Sequence, residues 1–312
     1  MRRSYEEWNP SPASARLIEL AVRICEEYDA AGYDLTLRQL YYQFVARGEI
    51  ENSQRSYKRL GSAVNKGRMA GLIDWDHIVD RTRTLRQVPW WHEPSDLISS
   101  AARSWHTDLW LHQPTRVEVW VEKEALAGVV EQVADRWQVP WFACRGYVSQ
   151  SELWKAAQRI GRYIRSGQDV VILHLGDHDP SGIDMTRDVE DRLTGFISVD
   201  QMRDRIQPAG PWFEVERIAL NMDQIDELNP PPNPAKLTDS RSSGYVAEFG
   251  HESWELDALD PATLDALIDA EIAEIADMGI WEECYETQEE DRATLQGLAE
   301  RTWADVSNFA NE

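Results

Sequence analysis

Asp177 and Asp179 stand two positions apart just beyond a short apolar run, Val170-Val171-Ile172-Leu173-His174-Leu175. Such a run reads as a buried parallel strand. Gly176 ends it, Pro180 and Gly182 turn the chain, and an amphipathic helix is predicted from about Ile183 to Leu193. The carboxyl ends of parallel strands form the edge at which open α/β sheets place their ligands. On extended backbone, residues i and i+2 point the same way. Two carboxylates so placed repel each other unless a cation lies between them. Their hard oxygens suit Mg²⁺, with Mn²⁺ the other candidate. A solvated Asp-rich turn is the competing account of a bare Asp-x-Asp. A second segment favours the cation. Arg116-Val117-Glu118-Val119-Trp120-Val121 alternates as a strand, ends in Glu122-Lys123-Glu124, and runs into a helix-like stretch from Ala125 to Trp137. With the two strands side by side in one sheet, Glu122 joins Asp177 and Asp179 at one edge, and the three make a candidate metal site.

The Tyr41-Tyr42 pair is the second feature with chemical content. Thr36 is placed to cap a helix running from Leu37 to Arg47, before Gly48. Leu37, Leu40, Tyr41 and Phe44 share an apolar stripe at three- and four-residue spacing. Tyr42 lies off that stripe, one turn beyond Arg38 and on the same face. A phenol beside a guanidinium has two uses. It is a surface packing residue, or it attacks a phosphodiester while the arginine holds the phosphate and stabilises negative charge.

Other elements must bring these groups to a substrate. A first helix is predicted over Ala15–Ala30, with Leu17, Ile18, Ala21, Val22, Ile24 and Cys25 inward and Gly32 at its end. After the Tyr41-Tyr42 helix, a third runs from about Gln54 to Ala70 and stops at Gly71. Tyr57, Leu60, Val64 and Met69 are its apolar positions, while Arg55, Lys58, Arg59, Lys66 and Arg68 form a basic face. Two short helices with a tight connection, the second basic, match the helix-turn-helix pattern that docks on duplex DNA. Residues 73–83 offer a β wing. A small helical bundle with a solvated basic face is the alternative.

Arg38-Gln39-Leu40-Tyr41-Tyr42 resembles the Arg-x-x-(Tyr/Phe)-Tyr motif of the A subunit of topoisomerase VI and the related meiotic double-strand-break protein. Asp177-His178-Asp179-Pro180-Ser181-Gly182 resembles that family's Asp-x-Asp-Pro-x-Gly, and Glu122 corresponds to the glutamate of its Toprim signature. Arg145-Gly146-Tyr147-Val148-Ser149 is similar to its Gly-(Tyr/Phe)-Pro segment, with Val148 in place of the proline. Trp254-Glu255-Leu256-Asp257-Ala258-Leu259 resembles a segment near the end of the family's Toprim domain; a capped acidic helix start is its simpler account. The likeness spans roughly residues 35–193 and is closest to compact stand-alone relatives. It implies an α/β chain with a winged-helix domain over 1–84, a Trp-rich linker over 85–114, a Toprim domain over 115–260 with a Rossmann-like, mainly parallel sheet, and an acidic helical region over 261–312. It further implies that Tyr42 is the nucleophile and Arg38 its phosphate partner, with Mg²⁺ held by Glu122, Asp177 and Asp179. Double-stranded DNA would be the substrate, cut by a homodimer in which the tyrosine of one subunit works with the metal site of the other. No segment for recruiting an ATPase partner is evident.

Composition bounds these expectations. The chain has 312 residues, enough for two domains with separate cores. Its net charge of −23 is unusual for a nucleic-acid enzyme, since phosphate contact favours basic surfaces. The charge is uneven, however: residues 36–116 carry 12 basic and 8 acidic side chains, residues 217–312 carry 5 and 23. The acidic end serves solubility, or screens the basic face until DNA displaces it. Cys25, Cys144 and Cys284 are widely spaced, which argues against a disulfide framework and a zinc site. No apolar run follows Met1-Arg2-Arg3 and none is long enough to span a membrane, so a cytoplasmic protein with no membrane partner is expected. Trp90, Trp91, Trp105 and Trp110 are read as packing between domains. Gln150–Ser166 is predicted as a helix with Leu153, Trp154, Ala157, Ile160 and Ile164 inward, and residues 213–220 as a strand. The Pro-rich stretch 229–234 is expected to be an extended loop. Three other functions compete with tyrosine-mediated cleavage: a metal-dependent nuclease using water, a DNA-binding protein without chemistry, and a scaffold resting on the acidic C-terminal half.

Overall fold

A computed structural model describes residues 2–80, 88–204, 212–235 and 238–309. Three helices open the chain: α1 (Pro12–Ala30), α2 (Leu37–Ala46) and α3 (Gln54–Met69). Each starts on a side-chain cap. Ser11 accepts from Ser14 N, Thr36 forms a reciprocal capping box with Gln39, and Ser53 accepts from Ser56 N. Gly48, at φ +70°, takes the left-handed conformation that stops α2. The apolar faces of the three helices close one core around Leu17, Ile24, Leu35, Leu40, Phe44, Leu60 and Ile73. The β wing expected over 73–83 is not seen in the described part of that stretch. Residues 73–80 contribute one parallel bridge, Leu35 to Ile78, and residues 81–83 lie outside the described set.

After α4 (Pro94–Arg103) the chain enters an α/β layer. Its strands are β1 (Thr115–Val121), β2 (Trp141–Ala143), β3 (Asp169–Leu175) and β4 (Phe213–Ala219). They form one parallel sheet in the order β2-β1-β3-β4. Helices lie between and after them: α5 (Ala127–Trp137), preceded by a short 3₁₀ turn at Glu124–Leu126, α6 (Gln150–Arg165), α7 (Pro180–Asp204) and α8 (Met222–Leu228). Both faces of the sheet are buried, as for parallel strands covered by helices on each side. Val117, Val119, Val121, Val171, Leu173 and Leu175 face α5 and a later helix, α10. Trp120, Val170, Ile172 and Val215 face α6 and α7.

A small antiparallel ribbon follows, β5 (Asn233–Pro234) with β6 (Glu252–Ser253), flanking α9 (Ser242–Phe249). A 3₁₀ turn at Leu256–Ala258 then leads to α10 (Pro261–Ile275), which Asp260 caps through Ala262 N. Leu264, Ile268 and Ile272 of α10 are buried in the sheet's own core, so that core extends past residue 260. The long helix α11 (Met278–Phe309) packs against α4. Among the described residues no helix is long and apolar enough to cross a membrane.

Four local expectations give way. Trp90, Trp91 and Trp105 are exposed rather than packed between domains, and of the four tryptophans only Trp110 is buried, in the core of the sheet. Trp154 is half exposed, because it lies about 100° around α6 from Leu153 and the Ile160–Ile164 stripe. The Pro-rich stretch is an extended loop only to Pro232, since Asn233 and Pro234 pair as an edge ribbon. Helix α7 begins at Pro180 rather than near Ile183, because proline is well suited to the first helical position.

Candidate functional site

The register of β1 against β3 sets Val121 opposite Leu175, so Glu122 and Gly176-Asp177 emerge side by side. Glu122 Oε2 accepts from Asp177 N at 2.8 Å. Asp179 goes elsewhere. With the helix starting at Pro180, its Oδ1 accepts from Ser181 N at 3.0 Å, Ser181 Oγ at 2.8 Å and Gly182 N at 2.7 Å. It is thus the cap of α7, while its charge still adds to the rise of Glu122. His178, between them, bonds through its backbone to Trp254 in both directions, at 2.8 and 2.9 Å. Its ring is buried among Tyr245, Phe249 and Trp254, with Nδ1 2.8 Å from Tyr245 Oη.

That bridge carries a third strip of chain to the sheet edge. Leu256 N donates to Asp177 Oδ1 at 2.8 Å, and this sets Glu255 and Asp257 beside Asp177. Carboxylate oxygens of Asp177, Glu255 and Asp257 all lie within 4.8 Å of one another. The Lys123 ammonium stands among them, 2.7 Å from Asp177, 2.6 Å from Glu255 and 2.8 Å from Asp257. Arg38, from α2, reaches the same group: its Nε is 2.6 Å from Asp257 Oδ2 and its Nη2 donates to Glu255. Below the loop, the Arg217 guanidinium donates to the carbonyls of Gly176 at 2.9 Å, Asp177 at 2.6 Å and Gly182 at 3.1 Å.

Burial governs the electrostatics here. It pushes Asp177 up to about 7 despite Lys123, with Glu122 and Asp257 adding to the rise. Burial likewise raises Glu122 above the usual carboxylate range. Burial also works upward on Glu255, but Lys123 and Arg38 beside it hold it below its ordinary value. Lys123 is itself desolvated, yet Asp257, Asp177 and Glu255 together raise it well above a free lysine. Burial brings Arg217 down to about 10. A desolvated set of carboxylates is stabilised by positive charge close by. Its all-oxygen donors suit a hard divalent cation, and an ammonium already stands in their midst.

Tyr42 is only 4% exposed and is counted in the helical core rather than on its surface. The reason is tertiary: Asn233 and Glu255, distant in sequence, lie against the α2 face that a lone helix would leave open. Its ring still lines a cavity of about 490 Å³, together with Arg38, Tyr57, Asn233 and Glu255. The Arg38 guanidinium carbon is 5.9 Å from the centre of that ring. Burial raises the phenol to about 12, Glu255 and Asp257 add to this, and Arg38 and an Asn233 hydrogen bond oppose it. Tyr41, by contrast, is tied up structurally, donating to Asn52 Oδ1 at 2.9 Å and accepting from Ser53 N at 2.8 Å.

On α3, Arg55, Lys58, Arg59 and Lys66 are exposed. Lys66 leans over Trp8, with Nζ 5.8 Å from the ring centre. Arg68 is folded back, donating to Trp75 O at 2.6 Å and lying 4.6 Å above that indole. The candidate metal residues thus divide. Glu122 and Asp177 meet, Asp179 caps a helix, and Glu255, Asp257 and Lys123 complete the cluster. Sequence reasoning left Glu255 and Asp257 without a role and passed over Lys123. The available signal was two acids alternating with Trp254, Leu256 and Ala258 in a strip otherwise apolar enough to be buried. In comparisons with known proteins, no family model and no curated protein matches the chain.

Proposed function

We propose that the protein cleaves duplex DNA by transesterification, with Tyr42 as the nucleophile, in the manner of the topoisomerase VI A-subunit family. One observation carries this reading: Arg38 touches the carboxylate cluster and lies beside the Tyr42 ring in one cavity. Exposed Arg55, Lys58, Arg59 and Lys66 on α3 offer a winged-helix-type face for the phosphate backbone. Arg38 holds the scissile phosphate. Tyr42 Oη bonds to phosphorus as the P–O3′ bond breaks, giving a 5′-phosphotyrosyl ester and a free 3′-hydroxyl. The phenol gives up one proton to solvent and the departing 3′-oxygen takes one up, so the step balances. The bond energy is retained in the ester, so the step reverses. Glu122 and Asp177, with Glu255 and Asp257, would hold Mg²⁺ or Mn²⁺, and a Toprim-type metal supplies positive charge to the phosphate and the leaving oxygen. Asp179 supports the site by fixing the loop. A homodimer with two such centres would cut both strands.

The test is denaturing-gel retention of end-labelled duplex after incubation with Mg²⁺ or Mn²⁺. Wild type gives a protein–DNA adduct, and Tyr42→Phe gives none while still binding duplex. An adduct formed by the Phe variant refutes the assignment. The near-complete burial of Tyr42 supports a second reading, metal-dependent hydrolysis by water. Cleavage that survives Tyr42→Phe but not Asp177→Asn selects it.

A further inference from the structure

Three carboxylates converge on one ammonium in this protein. Lysine carries three N–H donors and no acceptor. Lys123 directs its ammonium at Asp177, Glu255 and Asp257, within 2.6–2.8 Å of each. It is the residue next to Glu122, so strand β1 delivers a carboxylate and a cation to the same edge. Arg38 adds a second positive charge from α2, on Asp257 and Glu255. Counting formal charges, Asp177, Glu255 and Asp257 carry three negatives against two positives from Lys123 and Arg38. Glu122, bonded to Asp177 N at 2.8 Å, adds a fourth acid at the same edge.

We propose that Lys123 is a positioning residue that occupies the cation's place in the resting protein and is displaced when a divalent ion binds, freeing Arg38 for phosphate in the same exchange. The inference rests on the metal-dependent reading above. A steric reason favours the exchange. Mg²⁺ takes oxygen ligands at about 2.0–2.1 Å, in near-octahedral geometry. Oxygens that already hold an ammonium at hydrogen-bond distance cannot close to that range around a second cation in the same space. Once Glu255 and Asp257 are drawn to the metal, the Arg38 guanidinium loses its partners on that side. It keeps its position beside Tyr42, facing the cavity. Arginine's planar fork then suits a phosphate. The same arrangement keeps the cleavage machinery quiet without metal, since Arg38 is engaged by carboxylates.

The protein has five lysines, and Lys58, Lys66 and Lys155 are exposed. Lys236 lies outside the described residues, so in nuclear magnetic resonance of ¹⁵N-lysine-labelled full-length protein a slowly exchanging ammonium is assigned to Lys123 by its loss on substitution. The metal-free protein should show one such NH₃⁺ signal, absent from Lys123→Met, and Mg²⁺ should remove it from the wild type in step with binding. In parallel, calorimetry with Mn²⁺ should find Lys123→Met binding at least tenfold more tightly than wild type, because the internal competitor is gone. Persistence of the slow ammonium signal at saturating Mn²⁺-competent Mg²⁺ concentrations overturns the exchange and leaves the metal reading standing. Unchanged or weaker Mn²⁺ affinity in Lys123→Met does the same. Failure of Mn²⁺ to bind either protein overturns the metal reading and the exchange together. Lys123→Arg, which keeps a cation in place but removes the ammonium, supplies the assignment if the Met variant does not fold.

Discussion

A single methyl group added at Gly182 tests how tightly the loop that carries Asp177 is built. A Cβ there would overlap the carbonyl oxygen of Asp177 and lie 2.9 Å from its carbon and 3.2 Å from its nitrogen. All three atoms are backbone, so no rotamer change relieves the contact. Either the first turn of α7 moves or the loop does. Overpacking of this kind costs about 1–3 kcal/mol. The shift also weakens the Asp179 cap, which bonds Gly182 N at 2.7 Å, and a lost cap costs about 1 kcal/mol. Alanine's better helical propensity returns at most about 1 kcal/mol. The expected net loss for Gly182→Ala is thus about 1–3 kcal/mol. Gly195 provides the control, since it lies in the same helix with nothing within 4 Å of an added Cβ. There Gly195→Ala should stabilise by about 0.5–1 kcal/mol. Urea denaturation followed by circular dichroism reads both as midpoint shifts of opposite sign at unchanged slope. Mn²⁺ affinity should fall in the first variant and hold in the second. The reasoning fails if Gly182→Ala stays within about 0.5 kcal/mol of wild type, or if the two variants shift in the same direction.

Two further outcomes follow from buried charges outside the cluster. Glu118, in the middle of β1, is clasped by Arg159 at 2.7 and 2.8 Å and by the Trp120 indole at 3.0 Å. Arg159→Met strands that carboxylate and should cost about 3–5 kcal/mol, whereas the double variant with Glu118→Gln should recover much of the loss in the same denaturation assay. Burial, with Arg217 adding to it, holds His174 down at about 3 against an ordinary 6.5. A histidine depressed in this way contributes stability above pH 6.5, which is lost as pH falls toward 3, because only the unfolded chain takes up the proton. The loss over that window is on the order of 4 kcal/mol. Replacing His174 by Gln should flatten the stability–pH profile between those limits, and identical slopes in the two proteins would contradict the assignment.

Periodicity made the framework readable. The apolar runs of β1 and β3 and the stripes of α1, α2 and α3 are local patterns, and α2 starts where its Thr36 cap predicts. Glu122 and Asp177 were legible for the same reason, since strand ends define the sheet edge. Other features depend on contacts distant in sequence. Glu255 and Asp257 reach Asp177 only because Trp254 pairs with His178, some 76 positions earlier. Tyr42 lies off the helical stripe, as its spacing indicates, yet is covered by chain near Asn233 that no local pattern links to it. Strand β2 has three residues, too few to set a period. Trp154 was placed inward for its apolarity, although its angle on the helix pointed away.

The outermost position of β4 has a consequence for self-association. Its Glu214 and Glu216 are exposed on the last strand of the sheet, and the opposite border, β2, is only three residues long. A brief border gives little template for another chain, and a carboxylate-bearing one meets like charge when two copies approach symmetrically. Continuous sheet formation across protomers is thereby disfavoured at both margins. Any two-fold assembly of this protein is steered to surfaces other than the margins of this sheet.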